Sequence, residues 1–357
     1  YPLSGFKALC TANLPAPTIV KPSTVMDVKL YTGNGGTQTI SGLGFSPDLV
    51  WAKDRTVGAN HRLFDTVRGA DKILYSSVTN AEGTDASGLT AFTSTGFSVG
   101  STQINDNGSS FVAWAWDAGT TTVTDNTGSI QSTRRTNASA GFSVVTYTGT
   151  GSAGTVGHGL GVAPGLIICK SRSGAYNWQV YHSTFAGTSN TIVLNTTDAV
   201  DTGGGGVWNS TTPTSTVFSI GTSVGVNTNG NGHVAYCFAP VNSYSAFGSY
   251  TGNGSTDGPF VYTGFRPKWI LVKSTTGARD WLLWDTARDP YNVSTSGKLS
   301  PNLSDAEYYG AGAYAIPDVC ANGFKIRVAT TNINANGETH IYVAFAESPF
   351  ASNNRAR

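Results

Sequence analysis

Short segments in which apolar and polar side chains alternate recur along the chain and predict β-strands. Phe142–Tyr147 and Phe324–Val328 alternate in this way, and Val112–Trp116 alternates small with large side chains. Asn-Gly pairs, a strong short-range signal for a hairpin turn, occur beside such segments, as at Asn107 and Asn229. Helical periodicity is nearly absent. The pattern therefore predicts an all-β protein made of antiparallel strands.

One short phrase, Tyr-Thr-Gly-Asn/Thr-Gly, occurs three times, beginning at Tyr31, Tyr147 and Tyr250. In the phrase that follows each copy, a proline lies 16, 17 and 17 residues after the tyrosine, and a lysine follows the proline by 6 residues each time. The prolines and lysines are Pro47 and Lys53, Pro164 and Lys170, and Pro267 and Lys273. Agreement at so many spaced positions indicates a threefold internal repeat, and a period of about 100 residues matches a β-sandwich domain.

We predict three tandem antiparallel β-sandwich domains of about 100 residues each, related by this repeat. The predicted segments are an extended N-terminal connection at 1–26 that ends an upstream region, a first sandwich at 27–119, a linker at 120–141, a second sandwich at 142–242, a third at 246–349 and a C-terminal tail at 350–357. The linker is predicted because the segment is rich in Thr, Ser, Asn and Gly. Because the chain does not begin with Met, we expect it to start inside a longer precursor.

Composition narrows the classes of partner. Lys and Arg number 22 and Asp and Glu 21, so the net charge is +1 and the basic excess of a phosphate-binding protein is missing. We therefore expect no nucleic-acid partner. No apolar stretch reaches the about 18 residues of a membrane-spanning helix, so we expect no membrane insertion. Charged residues make up 12% of the chain, which together with abundant Thr, Ser and Asn is typical of an extracellular or virion-surface β protein.

Metal and cofactor sites are not predicted. The cysteines Cys10, Cys169, Cys237 and Cys320 lie too far apart for a zinc motif, and Cys169 and Cys237 occur within apolar runs that predict burial. A disulfide framework is the less favoured alternative. The loop 105–108 has the oxygen-rich character of a calcium loop, but its equivalents in the other repeats lack the aspartate, which favours a turn.

Two repeated charge pairs are candidate sites. Lys53 and Asp65, and likewise Lys273 and Asp285, lie 12 residues apart. We predict structural ion pairs between adjacent strands, because the pairs occur at repeated framework positions. The alternative is a repeated acid–base or anion site. Arg68 and Arg288 follow each aspartate by three residues and are placed to join the pair, whereas the second repeat has His182 at the equivalent position.

Aromatic residues outside the repeated frame are the candidate ligand-binding residues. Trp208 and Asn209 follow a glycine-rich loop in the second repeat, and Tyr308, Tyr309 and Tyr314 crowd a Gly/Ala-containing loop in the third. Amphipathic rings on loops are typical contact residues, and sugars commonly stack on such rings. The alternative is that each loop packs against its own domain. The tryptophans within the repeated frame, Trp51, Trp114, Trp116 and Trp269, are predicted to be core.

Taken together, the repeated phrases resemble a repeat domain of virion-surface and tail-fibre-like proteins of marine tailed bacteriophages. The opening Gly5–Pro15 is similar to the end of a SPRY-like lectin domain that precedes such repeats, and Tyr342–Phe350 resembles the C-terminus of those proteins. The resemblance implies a place on the surface of a phage particle, made in the host cytoplasm. It also implies other virion proteins as partners and, by analogy with phage fibres, a homo-oligomer, in particular a trimer.

The leading hypothesis is a structural protein of the virion, in a tail fibre or a surface decoration, that acts by binding, either to host-surface glycan or to neighbouring virion proteins. One alternative is a purely structural cement or spacer protein. A second is a fibre-borne depolymerase, which needs two carboxyl groups about 5–10 Å apart. The acidic residues are few and most fall in turn-like contexts, so we expect no catalytic residues, no enzyme activity and no cofactor.

Overall fold

The computed structural model describes residues 16–101, 103–185, 187–292, 295–311 and 317–350. Within these ranges the all-β prediction is confirmed: the chain forms several antiparallel sheets. The α-helices of the described part are single turns, and none is long and apolar enough to cross a membrane. A 3₁₀ turn at Pro22–Thr24 precedes the first strand.

The strands fall into three groups that follow the repeats. Those of the first repeat are β1 (Met26–Thr32), β2 (Gln38–Ile40), β3 (Leu49–Asp54), β4 (Arg62–Asp65), β5 (Gly69–Tyr75), β6 (Gly83–Thr84), β7 (Leu89–Thr93), β8 (Gly96–Val99) and β9 (Ser110–Trp116). Around the second repeat are β10 (Val123–Asp125), β11 (Ser132–Asn137), β12 (Phe142–Thr148), β13 (Gly154–Gly157), β14 (Leu166–Ser171), β15 (Gln179–His182), β16 (Ile192–Val193), β17 (Val217–Ile220) and β18 (Gly232–Phe238).

The third repeat completes the list. Its strands are β19 (Ser245–Thr251), β20 (Phe260–Tyr262), β21 (Phe265–Ser274), β22 (Leu282–Asp285), β23 (Thr295–Lys298), β24 (Tyr308–Ala311), β25 (Asp318–Cys320), β26 (Gly323–Lys325) and β27 (Thr339–Pro349). The helical turns are α1 (Gly205–Trp208), α2 (Val224–Asn227) and α3 (Thr331–Asn334).

Each repeat contains the same four-strand arrangement. The tyrosine-phrase strand (β1, β12 or β19) pairs with the closing strand (β9, β18 or β27), which pairs with the lysine-phrase strand (β3, β14 or β21), which pairs with the strand that follows (β4, β15 or β22). A smaller sheet accompanies each: β2-β8-β7, β13-β17 and β20-β26-β25. The repeated phrases therefore occupy equivalent positions in three equivalent sheets.

The segment 120–141, expected to be a linker, forms two strands instead. β10 pairs with β11, and β11 pairs with β12 from Ser132 opposite Tyr147 to Asn137 opposite Phe142. An Arg134–Asp125 ion pair at 2.5 Å joins the two strands. Thr-rich polar segments suit an edge strand, because its outer side faces solvent. The segment therefore extends the main sheet of the second repeat.

A buried hydrogen-bond pattern fixes the tyrosine phrase in every repeat. The hydroxyl groups of Tyr31, Tyr147 and Tyr250 each donate to a backbone carbonyl in the turn before the closing strand, at 2.7 Å in all three cases. In the first repeat the buried Asn105 amide donates to the carbonyls of Gly36 and Gly100, at 2.6 and 2.7 Å. Asn227 and Asn334 do the same in their repeats, which explains the repeated Asn-containing phrase as a structural element.

The glycine of the tyrosine phrase is required by close backbone approach. A Cβ atom on Gly33 would lie 2.1 Å from the carbonyl oxygen of Asp106, and one on Gly149 or Gly252 would lie 2.3 Å from the equivalent oxygen. No side chain fits at such distances. The second glycine of the phrase has positive φ, 66° at Gly35.

The largest hydrophobic cluster joins all three repeats. Trp116, Phe238 and Phe345 occupy equivalent positions near the ends of their closing strands, and their ring centroids lie 6.0, 5.7 and 5.6 Å apart. These three buried rings form a nearly equilateral triangle, so equivalent positions of the three main sheets meet in one core around a pseudo-threefold axis. Separate clusters fill the first and second repeats between their larger and smaller sheets.

Candidate functional site

Lys53 and Asp65 are not paired, which corrects the first of the two predicted ion pairs. The antiparallel register sets Asp65 opposite Leu49, four residues along β3 from Lys53. The buried Lys53 ammonium donates to the backbone carbonyls of Asp54 and Val57, the latter at 3.4 Å. Lys53 therefore closes the turn after β3 rather than binding a carboxylate.

The third repeat differs from its predicted pairing for the same reason. Asp285 lies opposite Trp269, four residues from Lys273 on β21. The buried Lys273 ammonium donates to the backbone carbonyls of Ser274 and Thr197, both at 3.0 Å. Because Thr197 belongs to the second repeat, this lysine also ties two repeats together.

Each of these aspartates pairs instead with the arginine three residues later. Arg68 Nε contacts Asp65, and Arg288 Nε lies 2.6 Å from an Asp285 oxygen. All four side chains are fully buried. A buried charge is tolerated only when it is paired and hydrogen-bonded, so these pairs are structural.

A neighbouring repeat donates a hydrogen bond to each aspartate. The Tyr236 hydroxyl donates to Asp65 at 2.8 Å, and the Trp114 indole N–H donates to Asp285 at 2.9 Å. Tyr236 and Trp114 occupy equivalent positions on β18 and β9. The first repeat therefore contacts the second, and the third contacts the first, through equivalent polar groups in the interior.

A glutamate extends each network to a second arginine across the same interface. Glu82 accepts from Arg68 and, at 2.8 Å, from both Nε and Nη2 of Arg172 in the second repeat. In the same way Glu307 accepts from Arg288 and, at 2.6 Å, from Arg55 of the first repeat. The sequence interpretation included the two buried arginines but missed both glutamates, because they lie far from the repeated phrases.

Trp208, predicted to bind ligand, is a core residue. It is 1% exposed, packs edge-on against Tyr181 and donates its indole N–H to the Thr191 hydroxyl at 3.2 Å. The single turn α1 folds this ring into the core of the second repeat. Asn209 follows it at φ 52° on the surface and ends the helix. These two residues therefore do not form the aromatic contact surface that was expected.

Tyr308 and Tyr309 are exposed, as a ligand-binding role requires. Their exposed fractions are 47% and 53%, and both lie on β24, which pairs with β23. The Tyr309 hydroxyl accepts a hydrogen bond from Arg55 at 2.7 Å. Burial raises the pKa of Tyr309, and the nearby Glu307 acts in the same direction. Tyr314, the remaining candidate, lies outside the described residues.

A cleft of about 400 Å³ in the third repeat is lined in part by Tyr308 and lies beside the Glu307–Arg55 contact with the first repeat. Its lining residues are Lys298, Ser300, Asp305, Ala306, Glu307 and Tyr308. The Lys298 ammonium lies 5.8 Å from the centroid of the Tyr308 ring. Burial lowers the pKa of Lys298, and the carboxylates of Asp280 and Asp305 oppose this shift. The cleft thus brings an aromatic ring, an ammonium group, hydroxyls and an exposed carboxylate together.

Comparison of the sequence with protein families identifies a match to one family model. The family model described as a domain of unknown function, DUF7483, matches residues 21–349. The chain belongs to the DUF7483 family. The match spans all three repeats. No curated protein matches the chain.

Among the described residues of this DUF7483 protein, no group of three or more His, Cys, Asp or Glu side chains is placed to hold a metal ion. Cys169 and Cys237 are free and buried, which confirms their prediction as small core residues, and Cys320 is free and partly buried. Cys10 lies outside the described residues. Of the predicted ligand-binding residues that the structure describes, Tyr308 is exposed and lines a cleft. We therefore take the Tyr308 cleft as the candidate functional site.

Proposed function

We propose that this DUF7483 protein is a structural protein of a phage particle, in a tail fibre or surface decoration, that binds host-surface glycan in the Tyr308 cleft. The resemblance of the repeated phrases to virion-surface proteins supports the location. The low charge and the Thr/Ser/Asn-rich composition support it too. Other virion proteins are the proposed partners, with homotrimeric assembly by analogy.

We also propose that each repeat is a two-layer β-sandwich of about 100 residues. The support is the pairing of one larger with one smaller sheet in every repeat, and the separate apolar clusters between those sheets in the first two repeats. In this arrangement the outer faces and loops are free to bind, while the inner faces build the pseudo-threefold core.

The observation that carries the glycan proposal is the exposed Tyr308 ring beside a cleft with polar groups of both signs. A sugar presents apolar C–H faces and a rim of hydroxyls, so it needs one ring to stack on and several donors and acceptors. Lys298 and Ser300 supply donors, and Asp305 supplies acceptor oxygens. The cleft volume falls within the about 300–1,000 Å³ of ordinary ligand pockets.

The charges in the cleft support binding rather than cleavage. Glycoside hydrolysis needs a protonated carboxyl group to act as general acid beside a second carboxylate. Both carboxylate oxygens of Glu307 already accept hydrogen bonds from arginine side chains, one from Arg55 and the other from Arg288. Glu307 is thus held in a structural ionic network rather than placed to act on a ligand with Asp305. A depolymerase is accordingly the weaker alternative.

The test is binding of the fluorescently labelled protein to a broad panel of intact bacteria, with reducing sugar measured in the supernatant. We expect saturable binding to some strains without sugar release, and at least a tenfold loss of affinity in Tyr308→Ala. Tyr262→Ala is the matched control, because Tyr262 is 62% exposed on β20, away from the cleft. Sugar release would establish the depolymerase instead, and no binding across the panel would favour the spacer.

A further inference from the structure

Among the described residues, the interface between the second and third repeats has no counterpart of the ionic network found at the other two. A backbone hydrogen bond identifies the equivalent positions: Glu82 N to Arg172 O at 2.8 Å, Glu307 N to Arg55 O at 2.9 Å and Val200 N to Thr275 O at 3.0 Å. Val200 and Thr275 thus stand where the other interfaces have a glutamate and an arginine. At this interface an uncharged valine and an uncharged threonine thus replace the glutamate and the arginine.

The remaining members of the network are replaced as well. His182 stands in place of the aspartate and Phe185 in place of the buried arginine, three residues later as in the other repeats. Val343 occupies the position of Tyr236 and Trp114, and its side chain has no hydrogen-bond donor. His182 Nε2 instead lies 3.2 Å from the backbone carbonyl of Tyr342.

A cavity of about 270 Å³, open to solvent, lies at this interface beside the substituted positions. The residues that line it come from both repeats: Thr184, Phe185, Asn190, Val200, Thr202, Thr275, Thr276, Thr339 and Ile341. None of these side chains is charged. Five of them have a threonine hydroxyl, one has an amide, and Phe185 supplies an aromatic ring.

We propose that this cavity is a second ligand site, which binds a neutral, hydroxyl-rich molecule the size of a single monosaccharide. Threonine hydroxyls and the Asn190 amide both donate and accept, which matches sugar hydroxyls, and Phe185 offers a face for the apolar side of a sugar ring. The volume is slightly below the about 300 Å³ at which drug-sized pockets begin, so it suits one ring. Because no charge lines the cavity, neutral sugars are favoured over anionic ones.

The site is separate from the Tyr308 cleft, which is lined by residues of the third repeat alone. It does not depend on the function proposed for that cleft. A double variant can fill the cavity. Val200→Glu together with Thr275→Arg recreates the glutamate–arginine pair that is present at the other two interfaces. We expect this double variant to fold, because the backbone hydrogen bond that aligns the two positions is already present.

The experiment is saturation-transfer NMR of the full chain with glucose, galactose, mannose, N-acetylglucosamine and, as an anionic comparison, glucuronate. We expect a signal from at least one neutral sugar, stronger than that from glucuronate. The variants are compared in a Tyr308→Ala background, which removes the aromatic ring of the first cleft. In that background a neutral-sugar signal should remain, Val200→Glu/Thr275→Arg should abolish it, and Phe185→Ala should weaken the affinity at least tenfold. Circular dichroism and the unfolding midpoint establish that each variant is folded.

Three outcomes would overturn the inference. One is that no neutral sugar gives a signal with the wild-type chain. Another is a signal that, in the Tyr308→Ala background, survives the filled cavity. The third is a signal lost in Tyr308→Ala but kept in the double variant, which would assign sugar binding to the Tyr308 cleft alone and so support the function proposed above.

Discussion

The Tyr236 hydroxyl donates a hydrogen bond at 2.8 Å to Asp65, a residue 171 positions earlier in a different repeat. Arg68, paired with the same carboxylate, also donates to the Tyr236 oxygen at 3.2 Å. Substitution Tyr236→Phe keeps the ring and removes the donor. We expect the free energy of unfolding to fall by about 1.5–3 kcal/mol, the usual effect of losing a buried hydrogen bond to a charged group, measured by urea denaturation.

Tyr342→Phe provides the control for that measurement. Its hydroxyl donates to a neutral backbone carbonyl, that of Tyr262, at 3.3 Å and is partly buried. Loss of such a bond costs about 0.5–1.5 kcal/mol. If both variants lost the same small amount of stability, the buried Asp65 network would not be a significant contributor to the interface.

Gly33→Ala should destabilise the first repeat strongly, because its Cβ would lie 2.1 Å from the Asp106 carbonyl oxygen. Overpacking of this kind costs about 1–3 kcal/mol or more. Gly36→Ala is the matched control in the same loop, where the nearest atom, an Asn34 side-chain oxygen, lies 3.7 Å away. Thermal melts of the two variants should differ clearly, and equal melting temperatures would contradict the close approach.

Acid should destabilise the protein before its carboxylates titrate. Burial lowers the pKa of all five histidines, to about 4 for His182 and for His233. The unfolded chain, with histidine pKa values near 6.5, therefore binds more protons than the folded one between pH 6.5 and about 4. The stability that depends on neutral histidines is fully present above that window and is lost as the pH falls through it.

We expect the urea midpoint to fall steadily from about pH 7 to about pH 5, a range in which most carboxylates stay charged. The burial of Asp48 and of Asp289 raises their pKa values, so these two groups act in the opposite direction to the histidines. A midpoint that did not change between those two pH values would contradict the burial of the histidines.

The three framework lysines should give a pH dependence of the same sign at alkaline pH. Burial lowers the pKa of Lys53, Lys170 and Lys273 from 10.5 to about 8. Between these values the unfolded state holds more protons than the folded state, so stability rises as the pH increases. We expect the urea midpoint to rise from about pH 7.5 to about pH 9 and the rise to be smaller in Lys170→Met. An identical slope in that variant would show that Lys170 does not titrate there.

Much of the local structure was predictable from the sequence, because it depends on short-range chemistry that recurs three times. The tyrosine phrase, the lysine phrase and the closing strand are repeated positions whose alternation predicts strands, and the structure has strands at each. The repeated glycine and asparagine positions also have local causes, such as the close approach at Gly33. The exposed Tyr308 and Tyr309 were identified because they depart from the repeated frame.

What could not be predicted depends on how the repeats pack against one another. The partner of Asp65 is set by strand register, which places Arg68 rather than Lys53 beside it. Glu82 and Glu307 bind arginines across an interface between repeats, Arg172 and Arg55 respectively, so no local spacing reveals them. Trp208 was misjudged because a single helical turn, weakly encoded by glycines, folds its ring into the core.

The interface between the second and third repeats, with His182, Phe185 and Val200, differs from the other two. This difference bears on how the sequences of such repeats can diverge. In a homotrimer of one repeat, every substitution appears three times, and a change that opens one interface opens all of them. Covalent linkage of the three copies in a single gene removes that constraint. Two interfaces can then keep their ionic networks and hold the assembly closed, while the third is released to acquire new chemistry without loss of the scaffold.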